Sequence, residues 1–175
     1  GNFPEISKRI KKDSVFNFGG YMTPHVAYMQ TIGLETLQVR YDRQSSSALK
    51  IARLLENTPG VKKVGYPGLE SHPDYKLFKD IYGDKGGAML TFNLPDESTC
   101  FKFINALKMI HRATNLFDNR SLAIHPASTI FGPLSQEQRK AMDIEDTTIR
   151  LSIGLEDPED IYADLAQAID FAINN

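Results

Sequence analysis

Arg150, Ser152 and Gly154 stand two residues apart in the stretch Thr147-Thr148-Ile149-Arg150-Leu151-Ser152-Ile153-Gly154-Leu155-Glu156-Asp157-Pro158-Glu159-Asp160. A strand sends alternate side chains to opposite faces. Ile149, Leu151, Ile153 and Leu155 then share one face, and Arg150, Ser152, Gly154 and Glu156 share the other. The second face sets a fixed cation beside a hydroxyl and a glycine that leaves open space, a setting that suits a small anion. A guanidinium stays charged at any working pH and grips a carboxylate through two parallel hydrogen bonds. Taken alone, the pattern is also that of an arginine on the wet face of a half-buried strand, so the anion reading depends on the rest of the chain.

Other chemistry-bearing residues are sparse. His25, His72, His111 and His125 are scattered, and none stands at ligand spacing from another His, Cys or carboxylate, so no metal site is expected. His125-Pro126-Ala127-Ser128-Thr129 reads as a turn carrying two hydroxyls rather than an acid–base centre. Cys100 falls in a helical stretch with Phe101 and Phe103 and reads as a buried structural thiol. Gly19-Gly20 and Gly86-Gly87 lack the strand–turn–helix frame of a nucleotide loop, and no Gly-Lys-Ser/Thr string exists. Glu70 with Asp74, and Asp143 with Glu145 and Asp146, read as solvated surface. Asn115-Leu116-Phe117-Asp118-Asn119-Arg120-Ser121 is a polar turn, or a rim loop at strand ends that offers amide and backbone N–H donors to a ligand.

The elements that must carry these residues follow from periodicity. Pro4, Gly19 and Gly20 break any long element before residue 22. Thr23-Pro24 opens a helix over Met22 to Gly33, and a second runs from Leu34 to about Asn57, with Leu34, Leu37, Tyr41, Ala48, Ile51 and Leu55 as its apolar stripe. Strands are expected over Val61 to Tyr66 and Gly86 to Leu94, and a short helix over Pro73 to Tyr82, ended by Gly83. Asp96 is a candidate N-cap for the helix through Phe101, Ile104 and Leu107, and Ser135 with Gln138 is a capping box. Asp157-Pro158 opens the last helix, whose apolar face is Ile161, Leu165, Ala168, Ile169 and Ala172. The natural architecture is an α/β domain of the α+β type: a mostly antiparallel sheet of about four strands covered by helices on one face.

At 175 residues, 41% hydrophobic and 24% charged, the chain is long enough for one domain with a real core. A net charge of −2 without a basic run argues against nucleic-acid binding. A single cysteine excludes an internal disulfide and fits a reducing compartment. No apolar run reaches membrane-spanning length and no leader pattern opens the chain, so a cytoplasmic protein is expected. Gly1-Asn2-Phe3-Pro4 begins without methionine, which points to a piece of a longer protein.

Several strings in order carry a resemblance. They are Phe18-Gly19-Gly20-Tyr21-Met22-Thr23-Pro24, then Gly33-Leu34-Glu35-Thr36-Leu37 with Arg40 and Arg43, then Tyr66-Pro67-Gly68-Leu69 with Ser71-His72-Pro73. Ser121-Leu122, His125-Pro126-Ala127-Ser128 and the stretch from Ile149 to Asp157 follow. Together they resemble, over nearly the whole chain, the C-terminal part of the pyridoxal-phosphate enzymes of cysteine and methionine metabolism. These include O-acetylhomoserine sulfhydrylase, cystathionine synthase and lyase, and methionine gamma-lyase.

The resemblance implies the small C-terminal domain of a fold-type-I enzyme. Residues 1–20 would connect from a missing N-terminal domain that binds pyridoxal 5'-phosphate, and residues 21–175 would form the substrate-clamping domain. No Ser-x-Thr-Lys-like string is present, so no catalytic or cofactor-binding residue is expected in this chain, and the piece by itself should be inactive and without bound cofactor. By similarity, Arg150 holds the amino acid α-carboxylate, and Asn115 takes the place of a serine in the same clamp. Fixing that carboxylate orients the bond to be broken over the cofactor.

The parent would be a homotetramer or homodimer acting on an amino acid such as O-acetylhomoserine, in methionine biosynthesis. Arg120 stands where cystathionine-handling relatives often carry glutamate, which favours the sulfhydrylase branch over cystathionine gamma-synthase or lyase. Methionine gamma-lyase is the neighbouring alternative. Gln44 replaces a histidine common after the two arginines, with no evident consequence. From another class, the chain could be a stand-alone non-catalytic domain that binds a small carboxylate or a protein.

Overall fold

The computed structural model describes residues 3–175, so Gly1 and Asn2, the start of the expected connecting segment, lie outside the described residues. The chain forms two compact units, residues 1–38 and 39–175.

In the first unit, helix α1 (Pro4–Arg9) continues in wider π-type turns over Ile10–Asn17, where the sequence reading expected no long element. Proline breaks a helix only from its interior, and Pro4 is the first helical residue, where its missing N–H costs nothing. Helix α2 (Pro24–Glu35) begins on Thr23, whose hydroxyl accepts the Val26 N–H at 3.3 Å. No residue of these helices is buried.

Helix α3 (Leu37–Glu56) leads into the second unit. Ala48, Ile51 and Leu55 of the expected stripe are buried, whereas Leu34 and Leu37 are exposed. The rest of the unit is β1 (Lys63–Gly65), α4 (Tyr75–Tyr82), β2 (Met89–Asn93), α5 (Glu97–Ala106), β3 (His111–Arg112), β4 (Leu122–Ile124), α6 (Gln136–Ala141), β5 (Thr148–Ser152) and α7 (Pro158–Asn174). The caps are those the sequence announces. Asp96 accepts the Thr99 N–H at 2.8 Å, Ser135 and Gln138 close a capping box, and Asp157 accepts the Glu159 N–H at 2.9 Å.

The sheet runs β1-β2-β5-β4-β3. All pairs are antiparallel except β3 with β4, and the two-residue β3 is the strand that brings the expected four to five. A two-residue strand is too short to show a period of two, which is why its sequence gives no signal.

One face carries Leu90, Phe92, Ala123, Ile149 and Leu151, packed in a single core with α3, α5 and α7. Phe92 meets Phe103 of α5 edge to face, with ring centroids 5.4 Å apart. Fully burying a side chain of this kind stabilises by roughly 1.5–3 kcal/mol, and α7 adds three more such positions at Ile161, Leu165 and Ile169, with the small Ala168 and Ala172 buried beside them. The result is a sheet with one helical layer on its apolar face, which leaves Arg150 on the other.

Candidate functional site

Arg150 sits in the middle of β5, opposite Thr91 of β2 and Ile124 of β4. It is half-buried, and its Nη2 donates to Thr114 Oγ1 at 3.1 Å. Among the described residues no carboxylate pairs with it. Partial burial holds its pKa below the ordinary guanidinium value. A cation that has lost part of its water without gaining a counter-ion attracts an anion more strongly than one in bulk solvent. The remaining edge of the guanidinium is the part of this face suited to a carboxylate.

The neighbours of Arg150 on that face differ from the sequence expectation. Ser152 is only 2% exposed, enclosed beside Met89 and Leu122, and its hydroxyl has no hydrogen-bond partner among the described residues. Gly154 does not leave open space for a ligand. A Cβ there would lie 2.5 Å from both Arg120 C and Ser121 N, so the backbone of the loop 115–121 fills it. Glycine is required for that close approach. Only Arg150 of the alternating set remains as a site for an anion.

The loop is fastened to β5 by a short network. Glu156 accepts the Ser121 N–H at 2.7 Å and the Ser121 hydroxyl at 2.9 Å, and Ser121 Oγ accepts the Gly154 N–H at 2.9 Å. The Leu155 N–H donates to Asn119 O at 2.9 Å. Within the loop Asp118 accepts the Arg120 N–H, the Asn115 amide at 3.0 Å and Arg120 Nε at 3.3 Å, and these donors hold its carboxyl below its ordinary value.

Asn115 follows Thr114 directly, so it stands close to Arg150 in the chain path. Its amide, however, is engaged inside its own loop: Nδ2 donates to Asp118 and Oδ1 accepts the Leu116 N–H at 2.9 Å. Thr114 is the residue that sequence reasoning missed. An exposed threonine in a loop carries no periodic or spacing signal, so nothing in the sequence could have marked it.

The remaining candidates are structural. His125 is buried, with Nδ1 bonded to Ser128 Oγ and Nε2 to Asp146 O, both at 2.8 Å. Cys100 is fully buried, and its thiol donates to Thr147 O at 3.3 Å. Among the described residues no lysine is set to hold the aldehyde of pyridoxal phosphate. That aldehyde needs a lysine nitrogen held out of water, and every lysine of the chain is exposed or half-exposed. Among the described residues no three His, Cys, Asp or Glu side chains gather as a metal site would require, and no helix is long and apolar enough to cross a membrane.

The sequence and fold of the chain are similar to those of known proteins. Residues 2–170 match the family model described as Cys/Met metabolism PLP-dependent enzyme. An L-methionine gamma-lyase of Treponema denticola is 40% identical over 153 residues, which cover 87% of this chain and 38% of that protein. The O-acetyl-L-homoserine sulfhydrylase 1 of Thermus thermophilus is 37% identical over 170 residues, covering 95% of this chain and 40% of the relative. The fold superimposes with a TM-score of 0.87 on a Campylobacter jejuni chain described as an O-acetylhomoserine (thiol)-lyase with N'-pyridoxyl-lysine-5'-monophosphate. That pair is 37% identical and covers 97% of this chain and 41% of the other. The chain thus spans about two-fifths of the length of the relatives it matches.

Proposed function

The chain belongs to the Cys/Met metabolism PLP-dependent enzyme family, and from that premise we propose that it is the substrate-clamping C-terminal part of such an enzyme. The connecting segment is residues 1–20 and the clamping domain residues 21–175. The parent makes homocysteine from O-acetylhomoserine and sulfide by γ-replacement, as a cytoplasmic homotetramer or homodimer. Its cofactor-bearing lysine lies in the N-terminal domain, so the 175-residue piece is inactive by itself.

The observation that carries this reading is Arg150: a half-buried guanidinium on the sheet face opposite the core, with one nitrogen committed to Thr114 and no carboxylate partner among the described residues. The α-carboxylate of an amino acid supplies the missing charge and fixes its own orientation through two parallel hydrogen bonds. Asn115, released from Asp118, adds a second donor beside it. Arg120, exposed on the same loop and paired with Asp118 at 3.3 Å, disfavours a substrate whose far end is an ammonium, as in cystathionine.

The test is product analysis of the full-length protein. Homocysteine from O-acetylhomoserine and sulfide is expected. The methionine gamma-lyase relative favours one second reading, in which methanethiol, ammonia and 2-oxobutanoate come from methionine. Absence of turnover on both substrates sinks the enzyme reading and leaves a non-catalytic carboxylate-binding domain.

A further inference from the structure

One turn of α3 reaches the loop that carries Asn115, the segment just before β2 and the end of the Arg150 strand. Tyr41, Gln44 and Ser45 lie three and four residues apart and therefore share a helix face. Tyr41 stacks on Phe117 of the loop, with ring centroids 5.7 Å apart and planes within 9°, and its hydroxyl donates to Lys85 O at 2.8 Å. Ser45 Oγ accepts the Gly87 N–H at 3.1 Å, just before β2. Between them Gln44 is fully buried, and its Nε2 donates to two carbonyls at once: Asp118 O at 2.9 Å and Ile153 O at 2.8 Å. The first lies in the loop that carries Asn115. The second lies one residue beyond the strand that carries Arg150.

A carboxamide nitrogen has two N–H bonds pointing apart, which is what two separate carbonyls require. The oxygen of the same amide, Gln44 Oε1, is buried without a hydrogen-bond partner among the described residues. A stranded buried acceptor costs free energy. Packing alone would favour an apolar side chain of this size, so the residue type is explained by its two donations.

We propose that Gln44 is a positioning residue: it ties the Asn115–Arg120 loop to the end of the Arg150 strand, so that loop amide and guanidinium meet one substrate carboxylate. The substrate half of this statement rests on the clamp reading above; the tie itself does not. Among the described residues Gln44 is hydrogen-bonded to neither Arg150 nor Asn115, and acts through the backbone of Asp118 and Ile153.

The test uses the whole 175-residue chain, titrated with O-acetyl-L-homoserine and followed by nitrogen NMR. In the unaltered chain the Arg150 Nε and Asn115 Nδ2 signals both shift. Gln44→Met keeps the volume and removes both donors. The Arg150 response then persists and the Asn115 response falls at least threefold. Amide exchange at Arg120, Ser121 and Leu155 accelerates at least tenfold, with Phe92 and Leu151 unchanged. If Gln44→Met does not fold, Gln44→Asn keeps the amide but is one methylene too short for both carbonyls, and the same split is expected in smaller measure.

An Asn115 response and loop exchange that stay as in the unaltered chain overturn the proposal. So does acceleration spread equally over loop and core, which is the mark of general destabilisation. Absence of any Arg150 shift in the unaltered chain refutes the clamp and the substrate half with it, while the exchange comparison separately decides the tie.

Discussion

Arg150 Nη2 and Thr114 Oγ1 are joined at 3.1 Å, and this bond sets the roll of a half-buried cation that has no carboxylate partner among the described residues. A guanidinium with one nitrogen fixed presents its other edge in one orientation. Without that anchor the same side chain samples several, and the substrate must select among them.

Thr114→Val therefore keeps the shape and removes the acceptor. In the full-length enzyme the loss is about 1 kcal/mol, or roughly a fivefold rise in KM, with kcat little changed. Arg150→Lys costs more, about 1.5–3 kcal/mol in kcat/KM, because one ammonium cannot reproduce a two-pronged grip. Steady-state kinetics of the two variants checks the order; equal effects would remove the anchoring role from Thr114.

Gly154 and Glu156 hold the loop against the strand by complementary means, one by making room and one by accepting hydrogen bonds. Gly154→Ala forces a methyl into Ser121 and Arg120 backbone and should destabilise by about 1–3 kcal/mol. Glu156→Ala leaves the Ser121 N–H and hydroxyl without their acceptor, at a cost of about 2 kcal/mol. Urea unfolding measures both. Because the two changes loosen one contact, the double variant should lose less than the sum.

Asp164 gives the fold an acid limb. Burial pushes its carboxyl pKa up, but the N–H groups of Ile110, Lys108 and Met109, each near 2.9 Å, together with Gln167, outweigh burial and leave it below the ordinary value. A depressed folded pKa contributes stability that is fully present above the unfolded value of about 3.9 and is lost as pH falls through the folded one. Asp164→Asn should cost about 2 kcal/mol at neutral pH. The gap to the unaltered protein should close as pH falls below about 4. Thermal melts across that range decide; a constant gap would contradict the linkage.

Cys100 should be inert while the protein is folded. Burial, reinforced by the charge of Asp96, pushes its thiol pKa up to about 12, so almost no thiolate exists at pH 8. Alkylation by iodoacetamide should be slow in buffer and rapid in urea. Equal rates would show that the thiol is reached without unfolding.

Much of this protein was legible in its sequence because the signals were local. The caps at Thr23, Asp96, Ser135 and Asp157 each join residues at most three apart, and the alternation around Arg150 needs only the pleat of one strand. Those rules put Ile149 and Leu151 in the core and Arg150 on the opposite face, and the ordered strings identified the family. The fate of the rest of that face could not be read this way. Ser152 is closed off beside Met89 and Leu122 of the neighbouring strands, and Gly154 is filled because a loop some 34 residues earlier in the chain lies against it. Thr114 becomes the partner of Arg150 across 36 residues, and Gln44 bridges carbonyls 74 and 109 residues away. No periodicity encodes contacts at such separations. They exist only once the core has brought α3, β5 and the loop together, so the sequence determined which residue is the cation, and the tertiary structure alone decided what holds it in place.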